Sequence, residues 1–139
     1  MLIVMLVALA TLWFSVVSNE SPSHASEPSS AILQEQGDGL MKNVEEMVAH
    51  GGMGDAKAIV QHCGEATRYA ETILKQLSMA DPYRGDAMAF LNEVIRQCSR
   101  VSEIGIHADP GQLLNPATKA RSAAQESMKS LGLIRTKKS

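Results

Sequence analysis

The residues in this chain with the most reactive side chains are two cysteines and a few histidines. Cys63 and Cys98 are the only cysteines, and both fall on the apolar faces of predicted helices. They lie at nearly equal sequence distances on either side of a turn near Ala80, so antiparallel helices would bring them level. This placement favours a disulfide between them. Two other interpretations stay open: buried thiols that pack as small apolar groups, and a thiolate metal site.

Three histidines outside the N-terminal segment, His50, His62 and His107, are possible metal ligands. Imidazole binds copper, nickel and zinc, and the carboxylate of Glu46 or Asp55 lies near His50 in sequence. No two histidines are four residues apart, so no helix carries a ready-made ligand pair. Each single histidine also fits a surface or helix-capping role. These residue types therefore permit a metal site without specifying one.

Other catalytic and cofactor motifs are missing from the sequence. There is no Cys-x-x-Cys, no phosphate-binding glycine loop and no nucleophile elbow. Glu46 and His50 are four residues apart, whereas the Glu-x-x-His motif of di-iron bundles requires three. The 13 lysines and arginines are scattered among 15 acidic residues, with a net charge of −2. We therefore expect no enzyme activity, no haem or nucleotide cofactor and no nucleic-acid partner.

The N-terminal segment has the character of an export signal. Residues 2–17 are almost wholly apolar, and Ser23 and Ala25 supply the small residues of a signal-peptidase site. We expect cleavage after Ala25, which leaves residues 26–139 as one exported domain, periplasmic or secreted and not inserted in a membrane. No lysine or arginine precedes the apolar run, so an uncleaved membrane anchor is the alternative.

The rest of the chain has the composition and periodicity of helices. A first helix is predicted from Ser29 or Ser30, although Gly37 and Gly39 could mark a kink or a later start at Asp38. Glycines within residues 51–54 should end this helix. Asp55 should cap a second helix, which has the cleanest amphipathic pattern of the chain.

Two further helices complete the predicted domain. Asp81-Pro82, or Gly85-Asp86 one turn later, should open the third helix, which buries residues through Ile104. Residues 105–115 should form a loop, although residues 112–114 could form a helical turn within it. Asn115-Pro116 should open the fourth helix, and Gly132 should end it. The predicted fold is therefore all-α: an antiparallel up-down-up-down four-helix bundle made of two helical hairpins.

Residues 44–74 carry a motif that resembles a known family. The motif comprises Glu45-Glu46, His50-Gly51, a glycine-containing turn, Gln61-His62, Glu65-Ala66 and Tyr69-Ala70. It resembles the SmbP-like small metal-binding proteins. The similarity is weak over the second hairpin, where only residues 117–119 resemble the family pattern.

The resemblance implies an exported bundle of two hairpin repeats that binds copper, nickel and other divalent transition metals through histidines. His50 and His62 stand where the family has histidines, whereas Tyr69 and Ala120 stand where more would be expected. The function that it implies here is weak binding or buffering of copper, nickel or zinc at His50 and His62. The alternative is a structural or interaction bundle, such as an envelope-stress or chaperone-like protein. Such a bundle would bind an unknown protein partner and no metal.

Overall fold

The computed structural model describes residues 30–77 and 84–134, and the predicted signal peptide lies outside these ranges. Four α-helices account for nearly all of the described residues, and no strand occurs among them. The helices are α1 (Ser30–Met53), α2 (Ala56–Gln76), α3 (Arg84–Ile104) and α4 (Pro110–Ser130). The prediction of an all-α fold is confirmed.

The four helices form a bundle. Each helix packs against the next one along the chain, and α1 packs against α4, which closes the ring; α2 and α4 also touch across the centre. Short connections between consecutive helices make neighbours antiparallel. None of the helices in the described part of the chain is long and apolar enough to cross a membrane.

The core is aliphatic, and both cysteines belong to it. Buried alanines on α2 and α4 take up little space at the contacts between helices, and larger aliphatic side chains fill the rest of the core. The largest fully buried side chains are Leu40, Val44, Met47, Ile59, Cys63, Ile73, Leu91, Val94, Cys98, Val101, Leu113 and Met128. Ile104 was predicted to be buried, but it is 36 % exposed because it is the last residue of α3.

Helix α1 runs without interruption through its glycines, so the alternative start at Asp38 is wrong. A Cβ atom on Gly39 would lie 2.4 Å from Cε1 of Tyr69, and one on Gly37 would lie 2.8 Å from Sδ of Met128. The missing side chains let α2 and α4 approach α1. Packing therefore offsets the low helix propensity of these two positions.

The turn between α1 and α2 is a Schellman motif built on Gly54. Gly54 has a φ of +78°, the left-handed conformation that favours glycine. Its N–H donates to the carbonyl of Gly51, and the N–H of Asp55 donates to the carbonyl of His50 at 3.0 Å. Asp55 then caps α2, because its Oδ1 accepts from the N–H of Ala58 at 2.9 Å. The predicted cap is confirmed, and the turn ties the backbone of His50 to Asp55.

The predicted start of α4 at Asn115-Pro116 is wrong, because the helix begins at Pro110. Asp109 caps it by accepting from the N–H of Gly111 at 2.7 Å. Asp109-Pro110 is thus the same cap-and-proline signal as Asn115-Pro116, but it lies six residues earlier. The earlier start places Leu113 in the core, where it is fully buried. The predicted end at Gly132 is confirmed by its φ of +70°.

The described residues test one of the two predicted starts of α3. The helix is already formed at Arg84, ahead of the alternative start at Gly85-Asp86. The predicted cap at Asp81-Pro82 lies outside the described residues.

Candidate metal site

His50 and His62 lie side by side across the α1–α2 hairpin. His50 is in the last turn of α1, and His62 is in the second turn of α2. Their imidazole rings stack with centroids 5.2 Å apart and planes inclined by 17°. The tight turn at Gly54 folds α2 back along α1 and so brings together two histidines that share no helix face.

Glu46 joins the two histidines. It precedes His50 by one helical turn, and its Oε2 lies 3.9 Å from Nε2 of His50. One ligand atom from each of Glu46, His50 and His62 lies within 4.8 Å of the other two. Among residues 30–77 and 84–134, this is the one cluster of histidine, cysteine and acidic side chains with metal-binding spacing.

Asn43 sets the orientation of His62. The amide Nδ2 of Asn43 donates to the carbonyl of Gly39 at 2.9 Å, so its Oδ1 is the atom that faces His62. The distance from this oxygen to Nδ1 of His62 is 3.0 Å. Because the oxygen can only accept, Nδ1 carries the proton and Nε2 keeps its lone pair for a metal. A polar group that holds the second nitrogen in this way is typical of metal-binding histidines.

Sequence reasoning did not identify Asn43, although a signal for it was present. Asn43, Glu46 and His50 are three and four residues apart, which places them on one face of α1. The hydrophobic pattern showed which face of α1 is buried, but not which polar side chains lie beside α2.

Asp55 approaches His50 from the other side. Its Oδ2 lies 4.0 Å from Nδ1 of His50, while its Oδ1 caps α2. His50 therefore sits between two carboxylates, with Nε2 towards Glu46 and Nδ1 towards Asp55. If Nε2 binds a metal, the proton on Nδ1 points at Asp55, as in a carboxylate–histidine–metal arrangement.

The cluster is at the surface and open to water. The side chains of His50, Glu46 and Asp55 are 27 %, 46 % and 51 % exposed. Two imidazoles and one carboxylate are a ligand set for zinc, copper or nickel, with the remaining coordination positions left to water. Ligand atoms around a tetrahedral metal are about 3.3 Å apart. The present atoms lie within 4.8 Å of one another and the two rings are stacked, so the side chains must rotate to bind one ion. His107 lies in the α3–α4 connection and does not belong to the cluster.

Cys63 and Cys98 also come together, on the facing sides of α2 and α3. Both are buried free thiols in this structure, so the predicted disulfide stays a prediction. The neighbouring Cys98, together with burial, raises the pKa of the Cys63 thiol. Cys63 in turn lowers the pKa of the Cys98 thiol, and Thr67 adds to this effect, although burial opposes both. Neither thiol belongs to the histidine cluster.

No family model, no curated protein and no solved structure matches this chain. The resemblance of residues 44–74 to SmbP-like proteins is therefore a prediction from a short motif.

Proposed function

We propose that this protein is a non-enzymatic metal-binding bundle that holds one divalent transition metal, copper, nickel or zinc, at Glu46, His50 and His62. The observation that carries the proposal is the convergence of one ligand atom from each of these residues to within 4.8 Å. The ligands come from two helices that a tight turn holds together, so binding requires no rearrangement of the fold.

The surroundings of the three ligands support the proposal. Asn43 presents Nε2 of His62 as an unprotonated ligand, and Asp55 faces the nitrogen of His50 that would not bind the metal. A histidine that is merely exposed to solvent or caps a helix needs neither the contact with Asn43 nor the contact with Asp55. The hydrogen bond from Asn43 fixes the ring of His62, and the carboxylate of Asp55 lies 4.0 Å from the ring of His50; groups in such positions orient metal-binding imidazoles.

The same geometry predicts modest affinity. The site has three protein ligands rather than four, and it is open to water. Such a site suits reversible binding or buffering better than a permanent structural metal, whose coordination shell is closed. The export signal predicted for residues 1–25 would place this buffering in the periplasm or outside the cell.

Titration calorimetry with copper, nickel and zinc tests the proposal. We expect binding of one metal ion per chain, lost in His50→Ala and in His62→Ala. His107→Ala is the matched control, because it removes an imidazole outside the cluster, and it should bind as the wild type does. No heat beyond that of the buffer, or equal binding by all four proteins, would contradict the proposal. That outcome would favour the alternative, a bundle that binds a protein partner without metal.

A further inference from the structure

The two buried cysteines differ in their access from the surface of the bundle. A surface cleft of about 350 Å³ lies over the α2–α3 interface, and it is lined by Gly64, Thr67, Ile95, Cys98, Ser99 and Ser102. Cys98 is 2 % exposed and lines this cleft, whereas Cys63 is 0 % exposed and is not among the lining residues. An external reagent that enters the cleft therefore meets Cys98 first.

Gly64 of α2 lies at the rim of the cleft. A Cβ atom on Gly64 would meet no atom within 4 Å, and the residue is exposed. Glycine inside a helix costs about 1 kcal/mol relative to alanine, and here no close approach of another helix offsets that cost. A longer side chain at this position could extend over the cleft beside Cys98.

We propose that Cys63 and Cys98 are a reversible dithiol–disulfide pair, in which Cys98 exchanges through the cleft with an external disulfide and Cys63 resolves the product. Two observations carry the proposal: both thiols are buried where α2 packs on α3, and Cys98 lines the same cleft as Gly64 and Thr67, which neighbour Cys63 on α2. The pair is separate from the histidine cluster, so the proposal does not depend on metal binding.

The exchange takes two thiol–disulfide steps. The Cys98 thiolate, after loss of its proton to water, attacks one sulfur of an external disulfide RS–SR; the S–S bond breaks and RS⁻ leaves. The Cys63 thiol then loses its proton and attacks the Cys98 sulfur of the mixed disulfide, and the second RS⁻ leaves. The two protein thiols are oxidised by two electrons, and the external disulfide is reduced to two thiols. A dithiol reductant reverses the sequence.

The surroundings of the sulfurs agree with this division of roles. The Cys63 thiol, and to a smaller extent Thr67, lower the pKa of the Cys98 thiol, although burial opposes them. Donors of this kind stabilise a thiolate, the nucleophilic form of cysteine. Cys63 is held against Cys98 by the packing of α2 on α3, the position required of a resolving thiol.

Oxidised glutathione is the probe for the experiment. We expect Cys63→Ser, which keeps only Cys98, to form a glutathione adduct at least about tenfold faster than Cys98→Ser, measured by mass spectrometry of the intact protein. The wild type should lose both free thiols and accumulate an internal disulfide instead of an adduct. Equal rates for the two variants, a faster Cys98→Ser, or a wild type that keeps both thiols would overturn the proposal.

The variant Gly64→Leu tests whether the reagent reaches Cys98 through the cleft or only after the whole bundle unfolds. Leucine at this position is favoured in a helix and meets no neighbour at its Cβ, so the variant should melt no lower than the wild type. In the Cys63→Ser background it should slow adduct formation several-fold, because its side chain covers the approach to Cys98. An unchanged rate would show that the reagent does not reach Cys98 through the cleft, and the proposed route would be wrong.

Discussion

The ring of His50 stacks on the ring of His62, with centroids 5.2 Å apart, although the two residues belong to different helices. The contact is possible because the Schellman turn at Gly54 reverses the chain within two residues. Two imidazoles this close repel one another when both are protonated. A shared metal ion removes that repulsion, since both rings then bind as neutral ligands.

The first prediction concerns Asn43, which holds His62 and is not one of the three proposed ligands. Asn43→Leu removes the oxygen that accepts from Nδ1 of His62, so the ring loses its fixed orientation and tautomer. We expect metal affinity to fall by about 10- to 100-fold, as for other groups that orient a ligand histidine. Competition with a metal-binding dye measures the change.

Asn92 offers a matched control for Asn43. Its amide donates to the carbonyl of Met88 at 2.9 Å, the same bond to the preceding turn that Asn43 makes to Gly39. Asn92 lies on α3, away from the histidines, so Asn92→Leu should leave affinity unchanged. If the two leucine variants bind metal equally well, Asn43 has no positioning role.

The second prediction separates the two roles of Asp55. Asp55→Ala removes the cap of α2 and should lower the free energy of unfolding by about 0.5–2 kcal/mol. Asn is as good a cap as Asp, so Asp55→Asn should unfold close to the wild type in urea. Both variants remove the carboxylate that faces His50, and both should bind metal at least about tenfold more weakly. A normal affinity in Asp55→Asn would leave Asp55 with a capping role alone.

The sequence predicted the bundle because the apolar periodicity of each helix is clear. Helix α2 illustrates this best: Asp55 caps it as predicted, and the residues predicted to face inwards, such as Cys63 and Ile73, are fully buried. The start of α4 was wrong because two Asx-Pro signals compete there, and local sequence does not show that Leu113 completes the core.

The candidate site was less predictable than the fold. The sequence placed His50 and His62 in one hairpin, and it named Glu46 as a nearby carboxylate. The stacking of the two rings depends on the register between α1 and α2, which is set by the glycines of α1 and the geometry of the turn. Periodicity within one helix carries no information about that register.

The third prediction concerns acid stability. The hydrogen bond from Gln97 to Glu93, at 2.6 Å, and the ion pair with Arg96 lower the pKa of Glu93 below its ordinary value of 4.5. Because the folded pKa is lower than the unfolded one, this stabilisation is present above about pH 4.5 and is lost as the pH falls through the folded pKa. Glu93→Gln should therefore make the melting temperature less dependent on pH between neutrality and the acid range.

Glu71→Gln is the control for Glu93. It removes the same charge from an exposed position on α2, so its melting temperature should follow the pH dependence of the wild type. Thermal unfolding followed by circular dichroism at several pH values measures all three proteins. A Glu93→Gln curve parallel to the wild type would show that Gln97 and Arg96 do not stabilise the folded carboxylate.

The last prediction tests whether a glycine sets the spacing of α1 and α2. Gly39→Ala gains about 1 kcal/mol of helix propensity, but its Cβ would lie 2.4 Å from the ring of Tyr69, so we expect a net loss of about 1–2 kcal/mol. Gly52→Ala meets no neighbour and should be stabilising. In a Tyr69→Ala background the clash is gone, and Gly39→Ala should become stabilising too. Urea unfolding of the four variants and the wild type measures the coupling; if Gly39→Ala has the same effect with and without Tyr69, the ring does not set the spacing.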